Sequence, residues 1–196
     1  DVVSKYVTLS IAFFFELKCN DFTKQPPFTS KSYLSVNISG LGNEALTLSD
    51  SSLAASALNA LDGRTSGAIN AASINTLTGS AADLISAYAA NGSGITGLGN
   101  EAINVNSGSA STSQANTLAA ATSAFVTATI ADGDMATLAG LNESGHAYAI
   151  TITDNSVAAA ALNSLNGKTT VAINGSAITT LTGTAADLNT AYTSAG

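Results

Sequence analysis

Apolar residues along this chain return at one recurring interval. Short alternating runs such as Leu46-Thr47-Leu48 and Ile150-Thr151-Ile152 have the period-2 pattern of a half-buried strand. Five residues beyond each run's last apolar position comes another apolar residue, and leucines at helical spacing come after it. Leu48/Leu53, Ile69/Ile74, Val105/Ala110, Ile130/Met135, Ile152/Val157 and Ile173/Ile178 all keep this step. Each pair marks one coil: a strand, a polar corner, then an amphipathic helix or helical turn. Strands are predicted to begin near Leu46, Ala68, Ile103, Thr127, Ile150 and Val171, about 22 residues apart with one longer step. The longer step contains the helical run from Ala81 to Tyr88 and a glycine-rich return from Gly92 to Gly99. The pattern predicts an α/β solenoid with one short strand and one short helix per coil. The alternative is an all-β solenoid whose alanine-rich runs are irregular.

The coils belong to longer repeats. Residues 46–92 align with 150–196 at an offset of 104 without gaps, with 26 of 47 positions identical. Ile38-Ser39-Gly40-Leu41-Gly42-Asn43-Glu44-Ala45 recurs at an offset of 57, as Ile95-Thr96-Gly97-Leu98-Gly99-Asn100-Glu101-Ala102. An array of this kind is stabilised by neighbour contacts summed along its length, so residues duplicated with the repeat read first as parts of a scaffold. The repeat phase at Gly196 falls in mid-repeat, which predicts more coils downstream.

Polar corners carry the candidate chemistry. Asp50, Asp132 and Asp154 each stand two residues past a strand and ahead of a helical run, where a carboxylate can cap the free N–H groups of the first turn. The same loop carboxylates, with Asp134 of Asp132-Gly133-Asp134, are the candidates for calcium held between neighbouring loops. No Gly-Gly-x-Gly-x-Asp string occurs. Asn70, Asn106 and Asn174 each come one residue after a strand and are expected to form a polar ladder from coil to coil. Tyr88 and Tyr192 are read as aromatic plugs at the ends of equivalent helices.

Catalytic signatures fail individually. One histidine, His146, and one cysteine, Cys19, cannot form a zinc set from those residue types alone, and His146 is expected to be a surface or turn residue. Gly40-Leu41-Gly42-Asn43-Glu44-Ala45 and its copy match a Gly-x-Gly-x-x-Ala nucleotide fingerprint. That fingerprint must open a helix after a strand, whereas each copy here leads into a strand. Glu44 with Glu101, and Asp83 with Asp187, are repeat equivalents and do not form a unique acid–base pair. No catalytic residue, cofactor or enzyme activity is therefore expected.

Composition and charge narrow the setting. Charged residues make up only 10% of the chain, tryptophan is absent, and 45% of residues are hydrophobic, a balance that predicts order and not disorder. The net charge of −7 divides into +1 over residues 1–33 and −8 over the rest. With Arg64 and Lys168 as its only bases, the array cannot neutralise a phosphate backbone, and nucleic-acid binding is not expected. Residues 1–33 differ from the array 34–196: they hold Cys19, Pro26, Pro27 and five of the six phenylalanines. They are read as a cap or a non-native start. Their apolar run, Val7 to Phe15, is far shorter than the roughly 20 residues of a transmembrane helix.

The Ile95–Ala102, Leu162–Thr169 and Leu181–Leu188 phrases resemble the repeats of very large bacterial cell-surface and secreted proteins of the adhesin and hemolysin-like kind. The resemblance covers residues 34–196. It implies an extracellular, cysteine-poor chain, often exported by type I secretion, with a structural or adhesive role. Its expected partners are neighbouring repeats of the same chain and an extracellular polysaccharide or cell surface. The alternative expectation is a ligand-binding solenoid that takes polysaccharide, calcium or ice.

Overall fold

The computed structural model describes residues 38–195, nearly all of which belong to the unit Gly40–Gly196. The 1–33 segment, expected to be a cap or non-native start, lies outside the described residues, as does Cys19.

Strands and helices alternate along the chain. Strands β1 (Leu46–Thr47) and β2 (Ser52–Ala54) precede helix α1 (Ala55–Asp62). Strands β3 (Ile69–Asn70) and β4 (Thr76–Gly79) precede α2 (Ala81–Ala90), and β5 (Ile95–Thr96) and β6 (Ala102–Val105) precede α3 (Thr112–Ala121). Next come β7 (Val126–Thr129), the short helix α4 (Met135–Leu138), β8 (Ala147–Ala149), β9 (Ser156–Ala158) and α5 (Ala159–Asn166). The last elements are β10 (Thr180–Thr182) and α6 (Ala185–Ser194). The expected single strand per helix is thus corrected for α1, α2, α3 and α5, each of which comes after two short strands. The five-residue apolar step explains why. Leu48 follows β1 and Leu53 lies in β2, and Ile69 lies in β3 with Ile74 just ahead of β4, because the polar corner between them turns the chain. The Ile130/Met135 pair instead leads from β7 into α4. The all-β alternative is excluded by the helices, which occupy the alanine-rich runs.

All strand pairing is parallel. One sheet has the order β1-β3-β5, a second β2-β4-β6-β7-β8, and β9 pairs with β10. Register places like on like: Leu46 beside Ile69 beside Ile95, and Leu53 beside Leu77 beside Ile103 beside Val126. These ladders point inward, and Ile69, Leu77, Ile95, Ile103 and Val126 are buried. Each helix from α1 to α5 closes its pass of the chain with one leucine on the same core: Leu58, Leu84, Leu118, Leu138 and Leu165. At about 25 cal/mol per Å² of apolar surface these leucines and isoleucines carry most of the burial energy. The alanines, smaller but equally buried at Ala55, Ala81, Ala87 and Ala115, let the helices approach the sheets.

Local sequence explains where the helices start. Ser80 and Thr184 accept the N–H groups of Asp83 and Asp187, both at 3.1 Å, and their hydroxyls bond the aspartate side chains at 2.7 Å. Ser111 and Gln114 form a reciprocal capping box at α3. Helices α1 and α5 begin after Ala54 and Ala158 with no side-chain cap. Among the described residues no helix is long and apolar enough to cross a membrane.

Candidate functional site

The aspartates singled out by sequence act across passes of the chain. Asp132 Oδ2 accepts the N–H of Thr112, the first residue of α3, at 2.7 Å. Asp154 Oδ2 accepts the N–H of Met135, the first residue of α4, at 2.6 Å. Each therefore satisfies an orphan donor of the preceding pass, where the helix dipole also favours a negative group. The expectation that they cap their own helix is corrected. The reason is geometric: in a parallel stack the corner of one pass lies beside the helix start of the pass before it. Asp134 is the conventional cap of the set, accepting the Thr137 N–H at 2.8 Å, a bond that holds its carboxyl below the usual range. Asp50 is exposed and makes no hydrogen bond among the described residues, and α1 starts at Ala54 without it.

As candidate calcium ligands these four do not converge. Among the described residues no group of three His, Cys, Asp or Glu side chains gathers in one place. Asp132, Asp134 and Asp154 each direct a carboxylate oxygen at a backbone amide.

The asparagine ladder is also relocated. Asn70 and Asn174 bond locally, accepting the N–H groups of Ala72 and Ser176 at 3.0 and 3.1 Å. The passes are joined instead by Asn59 to the Asp83 carbonyl at 2.9 Å, Asn163 to that of Asp187 at 3.0 Å and Asn116 to that of Gly140 at 2.7 Å. These residues sit on helices, where a long side chain spans to the next pass. A residue leaving a strand reaches its own turn first.

The Gly-Leu-Gly-Asn-Glu-Ala phrase has a defined role. The Glu101 carboxylate accepts the N–H groups of Gly99 and Asn100 at 3.0 and 3.1 Å, and Glu44 does the same with Gly42 and Asn43 at 2.6 and 3.1 Å. The Gly42 bond lowers the Glu44 pKa from its ordinary value. Glu101 is 1% exposed and also accepts a hydrogen bond from the Tyr88 hydroxyl of the preceding pass. Burial, and then the Glu101 carboxylate, pushes the Tyr88 phenol above its ordinary pKa. Tyr88 is thus a joint between passes. Its duplicate Tyr192 is 74% exposed.

Sequence reasoning missed a third joint, made by threonine. Thr65 Oγ1 donates to the Glu44 carbonyl at 2.9 Å, Thr122 Oγ1 to that of Glu101 at 2.6 Å and Thr169 Oγ1 to that of Tyr148 at 2.7 Å. Each hydroxyl also accepts an N–H two residues on, from Gly67, Ala124 and Val171. The signal was present, because Thr65 recurs at both repeat offsets, 57 and 104.

His146 is 8% exposed, which corrects the surface assignment. Its Nδ1 accepts the Val126 N–H at 3.1 Å, and burial lowers its pKa. Its ring lies 5.4 Å from that of Tyr148 at a tilt of 47°. Tyr148 is 1% exposed and its hydroxyl has no partner among the described residues; burial pushes its pKa up to about 12. The acceptor histidine and the buried phenol pack against one another, and His146 ties its pass to Val126.

Among the described residues the threonines of the largest sheet alternate with other residue types. One row across the largest sheet reads Ala54, Thr78, Asn104, Thr127, Ala147. An open recess of about 370 Å³ lies at the last pass between Leu162, Ile173, Ile178, Leu181 and Tyr192. No protein-family model, curated protein or solved structure matches the chain.

Proposed function

We propose that this chain is an α/β solenoid that serves as a structural, adhesive repeat segment of an extracellular bacterial surface or secreted protein, without catalysis of its own. The observation that carries the reading is the thrice-repeated threonine joint. Thr65, Thr122 and Thr169 make the same contact to the adjacent pass. A polar residue that recurs with the repeat and is saturated by backbone serves length and stiffness, not turnover. Asp132, Asp154, Asn59 and Asn163 support the reading in the same way, since their polar atoms bridge neighbouring passes. The few charges and the resemblance of the repeat phrases to surface proteins favour a setting outside the cell for such a rod.

Small-angle scattering on the chain lengthened by one inserted copy of its 104-residue period tests this. Four added passes at a strand spacing of about 4.8 Å should lengthen the particle by roughly 19 Å at constant cross-section. Growth in all dimensions would refute the rod. Calcium or glycan titrations that raise the melting temperature would favour a ligand-binding array instead.

A further inference from the structure

Neighbouring passes are joined where an N–H near the start of a strand meets an acceptor on the pass that comes next. Leu46 donates to the Ala68 carbonyl at 2.9 Å, Ile69 to that of Gly94 at 2.8 Å and Ile103 to that of Phe125 at 3.2 Å. Val126 holds the same place at the start of β7, 57 residues after Ile69. Its N–H goes instead to a side chain, Nδ1 of His146, at 3.1 Å. A carbonyl oxygen stays an acceptor across the physiological pH range, whereas an imidazole nitrogen can take a proton there.

The corner that holds His146 is built differently from its equivalents. Ser66 and Ser123 donate their N–H groups to the carbonyls of Gly42 and Gly99, both at 2.8 Å, and Thr170 donates to that of His146 at 2.9 Å. The threonine joints fall two residues further on, at Glu44, Glu101 and Tyr148. His146-Ala147-Tyr148 therefore stands where the other two passes have Gly-Asn-Glu. Glu44 and Glu101 clasp their own turns with a carboxylate. Tyr148 has no carboxylate to offer, and the imidazole two residues before it reaches across to Val126.

Protonation acts directly on this contact. Because Nδ1 accepts a hydrogen bond, the hydrogen of the neutral ring is on Nε2, and Nδ1 is the site left for a second proton. That proton would face the Val126 N–H, donor against donor, on a side chain that is nearly buried. Burial lowers the His146 pKa, while Glu143 in the loop before it favours the cation. Tyr148 of β8, beside the ring, is neutral. From the following pass Lys168 sends its ammonium to the Asn142 carbonyl at 2.8 Å, and Thr169 and Thr170 carry no charge. Phe125 and Val126 of the preceding pass carry none either.

Strands β7 and β8 pair next to this contact, from Thr127 with Ala147 to Thr129 with Ala149. We propose that His146 is an acid-sensitive joint: a proton on Nδ1 releases the Val126 N–H and opens the β7–β8 pairing locally, while the joints made to carbonyls hold. The array is then continuous at neutral pH and loosens at one defined pass in mild acid. The inference rests on the joints between passes and holds wherever the chain works.

Amide hydrogen exchange of the full 196-residue chain, read by NMR between about pH 7.5 and 4.5 and corrected for the intrinsic pH dependence of exchange, tests the proposal. Above the unfolded histidine value of about 6.5, protection of amides 126–129 and 147–149 should be constant. Below it, their protection should fall by up to about tenfold per pH unit and level off beneath the lower folded value, while Ile69 and Ile103 keep theirs. His146→Asn supplies a short amide oxygen as acceptor and does not titrate, so its protection should stay flat. Glu143→Gln changes an exposed side chain and removes the charge that favours the cation, so the fall should move to lower pH. This second variant decides the question if the first does not fold. Protection that holds until the whole chain unfolds overturns the proposal, as does loosening of all passes together. So does a fall that persists in folded His146→Asn, or one that Glu143→Gln leaves at the same pH.

Discussion

Tyr88 and Tyr192 occupy equivalent repeat positions in opposite surroundings, so one substitution made at both sites isolates the inter-pass joint. Tyr88→Phe removes the hydroxyl that donates to Glu101 and leaves the ring. Glu101 keeps the N–H groups of Gly99 and Asn100, so its buried carboxylate is not orphaned, and the loss is that of one charge-assisted bond, about 2 kcal/mol. For a chain of this size that lowers the melting temperature by roughly 4–8 °C. Tyr192→Phe, at an exposed site, should change the stability of dilute protein by less than about 0.5 kcal/mol. The pH dependence supplies a second readout. Folding raises the Tyr88 pKa by burial first and by Glu101 second, so its contribution is fully present below the unfolded value of about 10 and is lost as pH rises through the folded one. The gap between the parent chain and Tyr88→Phe should therefore narrow above a pH of about 10. Calorimetric melts of both variants from neutral to alkaline pH measure it. Equal melting of the two variants at neutral pH would refute the joint.

Other residues give shorter tests. Asp132→Ala frees the Thr112 N–H and should cost about 0.5–2 kcal/mol by urea unfolding, even though Asp132 lies outside the helix it serves. Tyr148→Phe deletes a buried hydroxyl that has no partner among the described residues and should stabilise the fold by about 1 kcal/mol; a lower urea midpoint would show that the hydroxyl is satisfied. His146 has a lowered pKa through burial, so folding favours its neutral form: its contribution is present above the unfolded value of about 6.5 and is lost as pH falls through the lower folded value. Melting should accordingly fall more steeply on acidification in the parent chain than in His146→Asn. Gly67→Ala would place a Cβ 2.1 Å from the Glu44 carbonyl oxygen and should destabilise by more than about 1 kcal/mol in the same urea assay.

Period and spacing made part of the fold legible in the sequence. The alternation at Leu46–Leu48 and the leucines at Leu58 and Leu84 mark strands and helix faces because burial acts on every apolar residue wherever it lies. One strand of each pair was less legible, since pieces as short as Ser52–Ala54 and Ile95–Thr96 show no alternation and are defined by pairing with β4 and β3. Polar partners were the least legible. Asp132 looks like a cap for the helix after it, and only the stacked register shows that it faces Thr112 instead. The burial of His146 was likewise invisible, because its Val126 partner comes from another pass. Thr65, Thr122 and Thr169 could have been found by asking which polar residues recur at both repeat offsets.

The backward reach of Asp132 and Asp154 gives the stack a direction in time. During synthesis α3 emerges before the carboxylate that completes its first turn, which lies 20 residues behind Thr112 in the chain; Met135 waits 19 residues for Asp154. Over this stretch a nascent chain ends in a helix with its first N–H still without its carboxylate, and each new corner supplies the one before it. Such a ratchet lets the passes fold in chain order while the growing tip stays pliant. A chain leaving a ribosome, or threading a narrow export channel in that order, would harden only behind its leading helix.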